Sequence, residues 1–296
     1  MTSRPNDSER LLSHAYRTGL LPSASGEAGP VALLAEAPGL CLDDEQGLSA
    51  IGHQVSVRAR HLSDLLGIGG DRPAPLADRD AALALLRQDG HDPLLYQAAR
   101  DVLPARTDTR TPIRADLVVY EQGSLPGSEP YRSLGHWNPP GQVEAFEVLN
   151  GRIAMLVAGI SSPSRRFSYV QTLSAGERTA VPLGAWHVSY VLTGPAVVFN
   201  IYAHPGTAAD PEIDGGHDGK YQRDAPVPVT LRRSPEGQLS AVLLADWGDP
   251  LWLTPTSDPA GISGSPAWLP ATESLPSLFL RSSADRWNEL IDRAVS

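Results

Sequence analysis

Apolar residues along this chain follow two different rhythms. From Ala115 onward they gather in short runs rich in β-branched and aliphatic side chains: Leu117 to Tyr120, Arg152 to Ile160, Phe167 to Leu173 and Val197 to Tyr202. Runs of that length, bounded by Gly, Pro, Asn or Ser, predict strands. Val227 to Arg233 and Gln238 to Asp246 flank Ser234-Pro235-Glu236-Gly237 and predict a hairpin. Before residue 109 the spacing is closer to that of helices. Asp7-Ser8-Glu9-Arg10 can start a helix running to Leu20, and Val55 to Leu66 places Val55, Leu62, Leu65 and Leu66 on one side. Asp78 to Leu86 is rich in Ala and Leu, good helix formers, and His91 to Val102 continues in the same vein. Ser277 to Val295 predicts a closing amphipathic helix with Leu280, Trp287, Leu290 and Ile291 on its apolar side.

The expected architecture is therefore mainly β, in three parts. Residues 1–108 form a helical N-terminal extension and residues 109–225 a β core. Residues 226–296 hold a hairpin, an irregular Pro-, Gly- and Ser-rich wrap from Pro250 to Pro270, and the terminal helix. Gly206 to Gly219, rich in Gly, Asp and Ala, predicts a loop that could cover the mouth of the β core.

Composition narrows the function classes. A formal net charge of -10 over 296 residues disfavours a nucleic-acid partner, because phosphate binding needs a basic face. The lone cysteine, Cys41, excludes a disulfide within the chain. Met1 to Glu9 is polar, unlike a secretory leader, and no apolar run approaches membrane-spanning length. A soluble, cytoplasmic protein with no membrane partner is the expectation. No phosphate-cradling or dinucleotide-binding glycine motif is present, and Gly67-Ile68-Gly69-Gly70 follows a helical pattern, as a helix stop would.

Candidate chemistry is concentrated between Ser133 and His187. The first half of that stretch reads Gly135-His136-Trp137-Asn138, continues to Glu144, and reaches Gly151 after six more residues. The second half reads Gly176, five residues, Pro182, four residues, His187. Two histidines and a carboxylate on neighbouring strands can converge inside a small β-barrel. Two neutral imidazoles and one carboxylate form a three-ligand face on a divalent metal and leave positions for a substrate. Glu147, three residues beyond Glu144, would point to the opposite side of a regular strand, so Glu144 is the preferred carboxylate. Asn138 can act as a weak ligand through its amide oxygen, or as a hydrogen-bonding group beside the ion. A barrel that has lost its metal, with His136 and His187 as ordinary lining residues, is the plainer alternative.

These two motifs resemble those of the cupin family, with Asn138 standing where the second histidine of the family's His-x-His pair would be. The resemblance implies a cupin β-barrel, of the double-stranded β-helix or jelly-roll type, over about the middle third of the chain. Within the cupins the stretch is most similar to the archaeal-type glucose-6-phosphate isomerases. Ser133 matches their Thr before the Gly-His pair, while Val197 to Tyr202 and Gly216-His217-Asp218 match the strand and motif that follow. The resemblance implies one divalent metal (Fe, Mn, Zn or Ni) held by His136, Glu144 and His187. In those isomerases the position of Asn138 is also a ligand, and a second tyrosine stands where this chain has Phe146. Cupins often pair through their barrels, so a homodimer is compatible with the family.

Two chemistries follow for a small-molecule substrate. In aldose-ketose isomerisation of a sugar phosphate, Glu144 would move the proton. Ser133 would hold the phosphate, Asn138 and Phe146 would line the substrate, and Tyr202 and His217 would close around the sugar. Each has a plainer role: Ser133 capping a turn, Tyr202 ending a strand, His217 lying in a loop. In the alternative, His136, Glu144 and His187 form the facial triad of a non-heme iron oxygenase in a specialised pathway, with Trp137, Trp186 and Phe146 near the ion. A third reading is a non-catalytic small-molecule-binding barrel.

Overall fold

A computed structural model describes residues 40–43, 47–50, 53–54, 56–68, 70, 72–88, 91–162, 165–204, 225–226, 228–244 and 266–296, with side chains outside 40–57 and 160–165. The expected helix over Asp7–Leu20 and the loop over Gly206–Gly219 lie outside these residues, as does most of the Pro250–Pro270 wrap.

In chain order the strands are β1 (Leu40–Asp43), β2 (Gly47–Ala50), β3 (His53–Gln54), β4 (Ser56–His61), β5 (Leu94–Arg106), β6 (Ile113–Tyr120), β7 (Ser124–Leu125) and β8 (Glu129–Pro130). They continue with β9 (His136–Trp137), β10 (Val143–Ser162), β11 (Arg165–Ser174), β12 (Arg178–Val181), β13 (Trp186–Ala203), β14 (Val229–Arg233) and β15 (Leu239–Leu243). The helices are α1 (Leu62–Leu65), α2 (Arg79–Arg87), α3 (Leu275–Arg281) and α4 (Ala284–Val295). The main sheet is antiparallel in the order β11-β10-β13-β6-β5-β4, with β12 added on β10 and β9 on β13.

Two long strands make the roll. β10 spans 20 residues and β13 spans 18. The first part of β10 pairs with β12, the second part with β11, and both parts pair with β13. The strands turn together where the β10–β13 register shifts, between Val148 and Ile153. Gly151 occupies that corner with φ +76, and a Cβ there would stand 2.5 Å from the Thr193 carbonyl oxygen, so only glycine fits. Asn150 Nδ2 donates to the Pro195 carbonyl at 2.8 Å and ties the two corners. The shift changes which residues face inward. Phe146 and Val148 point into the barrel before the corner, and Ile153, Met155 and Val157 after it. On β13, Val191 faces inward before the corner and Ala196 and Val198 after it.

Three apolar layers result. The barrel interior is filled from β5, β6, β10, β11 and β13. One outer face, carrying Ala115, Leu117, Val197 and Phe199, is covered by Leu278, Phe279, Trp287 and Ile291 of α3 and α4. The other, carrying Leu156, Trp186 and Val188, is covered by Val229 and Leu231 of β14. The fold is thus the expected mainly-β barrel with a helix at its C-terminal end.

The segment leading into β9 is fixed by an ion pair out of contact with solvent. Arg132 donates to Glu129 at 3.2 Å, with both side chains fully buried. The Glu129 carboxylate also accepts from the Ala77 amide at 2.8 Å and the Thr230 hydroxyl at 2.6 Å, while Arg132 donates to the Pro75 carbonyl at 2.8 Å. Burial raises the Glu129 pKa, opposed by the Arg132 charge.

Several local expectations need correction. His91–Val102 is not helical: Leu94 onward is β5, paired with both β4 and β6. Its alanines read as helix formers, but Ala98 and Ala99 fill the two faces of a crowded sheet. Asp101, at φ 48, lies within a register shift that breaks the two-residue alternation. Val55–Leu66 is helical only over Leu62–Leu65, and its preceding residues form β4. Ser277–Val295 is two helices, each started by a serine side chain, Ser274 and Ser283, accepting a first-turn amide. The helix at Asp78–Leu86 and the hairpin around Ser234–Gly237 form as expected.

Candidate metal centre

His136 and His187 face each other directly across the β9–β13 pairing, with ring centroids 4.3 Å apart in an edge-on arrangement. Glu144 reaches the same point from β10, where it pairs with Val181 on one side and Tyr202 on the other. One ligand atom from each of the three residues lies within 4.8 Å of the others. The strand register places all three on the inner face, so rigid elements rather than loops aim the set.

The surroundings of Glu144 fit a cation. Its side chain is buried, and its two oxygens accept from different neutral amides: Oε2 from Gln142 Nε2 at 2.9 Å, Oε1 from Asn200 Nδ2 at 3.1 Å. Among the described residues no lysine or arginine is paired with it. A carboxylate taken out of water needs a compensating charge, and a divalent ion between Glu144 and the two imidazoles would supply it. Gln142 and Asn200 would orient this carboxylate, as the hydrogen-bond partners of metal-binding carboxylates do.

Asn138 is 1 % exposed, and neither its amide oxygen nor its amide nitrogen has a hydrogen-bond partner within the described structure. Its backbone N–H is bonded to the Ala185 carbonyl at 2.9 Å, which fixes it beside His136. A buried amide with both ends unsatisfied is rare in a folded chain and suits a group that meets a ligand.

The other expected residues divide. Phe146 walls the centre, its ring 5.3 Å from that of His187. Tyr202 is buried opposite Glu144 in register; burial, then the charges of Asp116 and Asp101, raise its pKa, so the hydroxyl stays protonated. Ser133 accepts from the Ser189 amide at 3.0 Å and so clips the motif segment onto β13. His217 lies outside the described residues. Trp137 and Trp186 do not shape the centre: they pair with each other and pack in the outer layer under β14. Glu147 points away, as the alternation requires, and its carboxylate accepts the Leu275 amide at the start of α3.

Gln142 and Asn200 were not anticipated. Both left a signal in the sequence: Gln142 is two residues from Glu144 and so shares its face, and Asn200 interrupts an otherwise apolar strand.

No protein-family model matches the sequence, and no curated protein matches it. Solved structures do. KdgF from Halomonas sp. is 15% identical, covering 39% of this chain and 85% of its own, with a TM-score of 0.26. An RmlC-like cupin from Shewanella frigidimarina is 14% identical over 40% of this chain and 81% of its own, TM-score 0.25. An oxalate decarboxylase variant from B. subtilis is 13% identical over 38% of this chain and 26% of its own, TM-score 0.29. At such scores the superpositions are partial, and the assignment of fold rests on the chain itself: two bent strands forming a roll, with the motif residues on β9, β10 and β13 facing one interior. In this barrel the His–Glu–His set is a candidate metal site, and nothing in it selects one divalent metal over another.

Proposed function

We propose that this chain is a metal-dependent enzyme that binds one divalent ion through His136, Glu144 and His187 and acts on a small organic molecule inside the barrel. The observation that carries the reading is the clamped, buried carboxylate of Glu144, balanced by no lysine or arginine among the described residues and facing two imidazoles. Bound there, the ion would polarise a substrate oxygen and, if iron, would supply electron transfer with dioxygen. The residues around it set the conditions. Gln142 and Asn200 hold the carboxylate, Phe146 keeps water from one side of His187, and Asn138 offers a donor and an acceptor to whatever binds beside the histidines.

Between the two finer chemistries, the oxygenase reading has more support. Glu144 has both oxygens engaged, which suits a fixed ligand better than a group that must carry a proton. Phe146 puts hydrocarbon where a sugar hydroxyl would need a partner. Aldose-ketose isomerisation keeps one supporting observation: Tyr202, protonated and opposite Glu144 in register, would hold a substrate oxygen.

The test begins with metal content. Full-length protein incubated with ferrous iron without oxygen and then desalted is expected to retain close to one iron per chain, and His187→Ala to retain none. Equal retention by both proteins sinks the assignment. Iron-loaded protein that equilibrates glucose and fructose 6-phosphates in the absence of oxygen overturns the oxygenase preference.

A further inference from the structure

Among the described residues the barrel interior holds a buried polar group that neither the metal centre nor a hydrogen bond uses. Tyr169 on β11 lies opposite Val157 on β10, which lies opposite His187 on β13, which lies opposite His136 on β9. These side chains form one row across the inner face. Neighbouring strands are spaced by about 4.8 Å, so Tyr169 stands two strands, about 10 Å along the sheet, from His187. Tyr169 is 1 % exposed, and its hydroxyl has no hydrogen-bond partner within the described structure.

Its ring packs among hydrocarbon; the nearest polar side chain on that face of β11, Gln171, accepts instead from the Thr179 hydroxyl at 2.7 Å. The Phe167 ring stacks beside that of Tyr169, 6.2 Å between centroids and 19° from parallel. A Cβ on Gly159 would come within 2.5 Å of that ring, so the glycine is what allows Phe167 its place. Phe146, Met155 and Val157 continue the same apolar layer. A phenylalanine at 169 would fill this layer without burying an unpaired hydroxyl, so the tyrosine lowers the stability of the free protein. Burial raises its pKa, and the hydroxyl therefore carries its proton as a donor.

We infer that Tyr169 is a substrate-binding residue whose hydroxyl donates a hydrogen bond to an uncharged oxygen of a mostly apolar molecule lying across the inner face. A carbonyl, ester or ether oxygen fits. A phosphate or carboxylate does not fit at this end, because an anion in this apolar layer would be left uncompensated. The far end of the molecule would reach the row's two histidines, and only that half of the inference rests on the metal-centre reading.

Two probes of matched shape test it: acetophenone, which has the acceptor, and α-methylstyrene, which lacks it. Their affinities are measured by ligand-observed NMR on the full chain and on Tyr169→Phe, with metal content determined in the same samples. The ratio of acetophenone to α-methylstyrene affinity is expected to fall about threefold to tenfold in the variant, the worth of one neutral hydrogen bond. An unchanged ratio, or no binding of acetophenone to the wild type at its solubility limit, overturns the assignment. Thermal melting of the free proteins gives a second arm. Tyr169→Phe is expected to melt at the same temperature or higher, and a lower one means that the hydroxyl is bonded within the fold and overturns the inference. A falling ratio in protein that binds no metal keeps Tyr169 and removes the metal centre; an unchanged ratio in metal-bearing protein does the reverse.

Discussion

Glu144 depends on two amides, one two positions back in the chain just before β10 and one on the neighbouring strand β13. Removing such an orienting group around a metal ligand usually lowers metal affinity by about 10-fold to 100-fold. Asn200→Ala is therefore expected to weaken metal binding by that amount while leaving the circular dichroism of the folded chain unchanged, as a competition titration with a chromophoric chelator would read. An affinity within twofold of wild type would contradict the orienting role. His136, Glu144 and His187 are legible in the sequence because their spacing and flanking glycines form motifs. Tyr169 is not legible in that way. It sits inside a run of ordinary strand residues, and only the pairing register brings it into line with His187.

At the level of elements, the corner of β10 is the most constrained point. Gly151→Val would impose a β-branched side chain at φ +76 and push its Cβ into the Thr193 carbonyl. A loss of at least about 1–3 kcal/mol in unfolding free energy is expected, read from urea denaturation. Glu147 makes a different junction, joining β10 to the start of α3. Burial is the larger influence and raises its pKa from 4.5, against the Leu275 amide and Arg178. A carboxyl group raised in the folded state adds stability that is fully present below its unfolded value and is lost as pH rises through the folded one. Glu147→Gln keeps an acceptor for the amide and removes the titration. Its melting temperature is expected to decline less than that of wild type as pH rises from the ordinary glutamate range to neutrality; parallel curves would refute this. Strands with a continuous aliphatic run, such as β6 and the second part of β10, are readable from sequence. β5 is not, because its alanines and a bulge at Asp101 mimic helical spacing, and partners on both sides override propensity.

Across the whole molecule, the C-terminal segments serve as covers for the barrel. Trp287, 1 % exposed, is the largest side chain that α4 places on the outer face of the β6–β13 region. Trp287→Ala is expected to cost about 3–5 kcal/mol in denaturant unfolding. Metal stoichiometry should survive, since the layer lies on the far side of the sheet from His187. With both outer faces covered by the chain itself, a homodimer joined through them would require α3, α4 or β14 to be displaced. None of the described helices is long and apolar enough to cross a membrane. Glu129 and Arg132 link the loop before α2, the approach to β9 and the C-terminal hairpin at one buried point, so the hairpin cover and the site are fastened together. The bend shared by β10 and β13 carries a further consequence, much like that of a reading frame. Deleting one residue between Glu144 and the corner would rotate the upstream stretch by half a pleat and turn the carboxylate out toward the helices. The hairpin tips can vary in length without such damage, so change in this protein's lineage should collect at the tips and leave the count between the corners fixed.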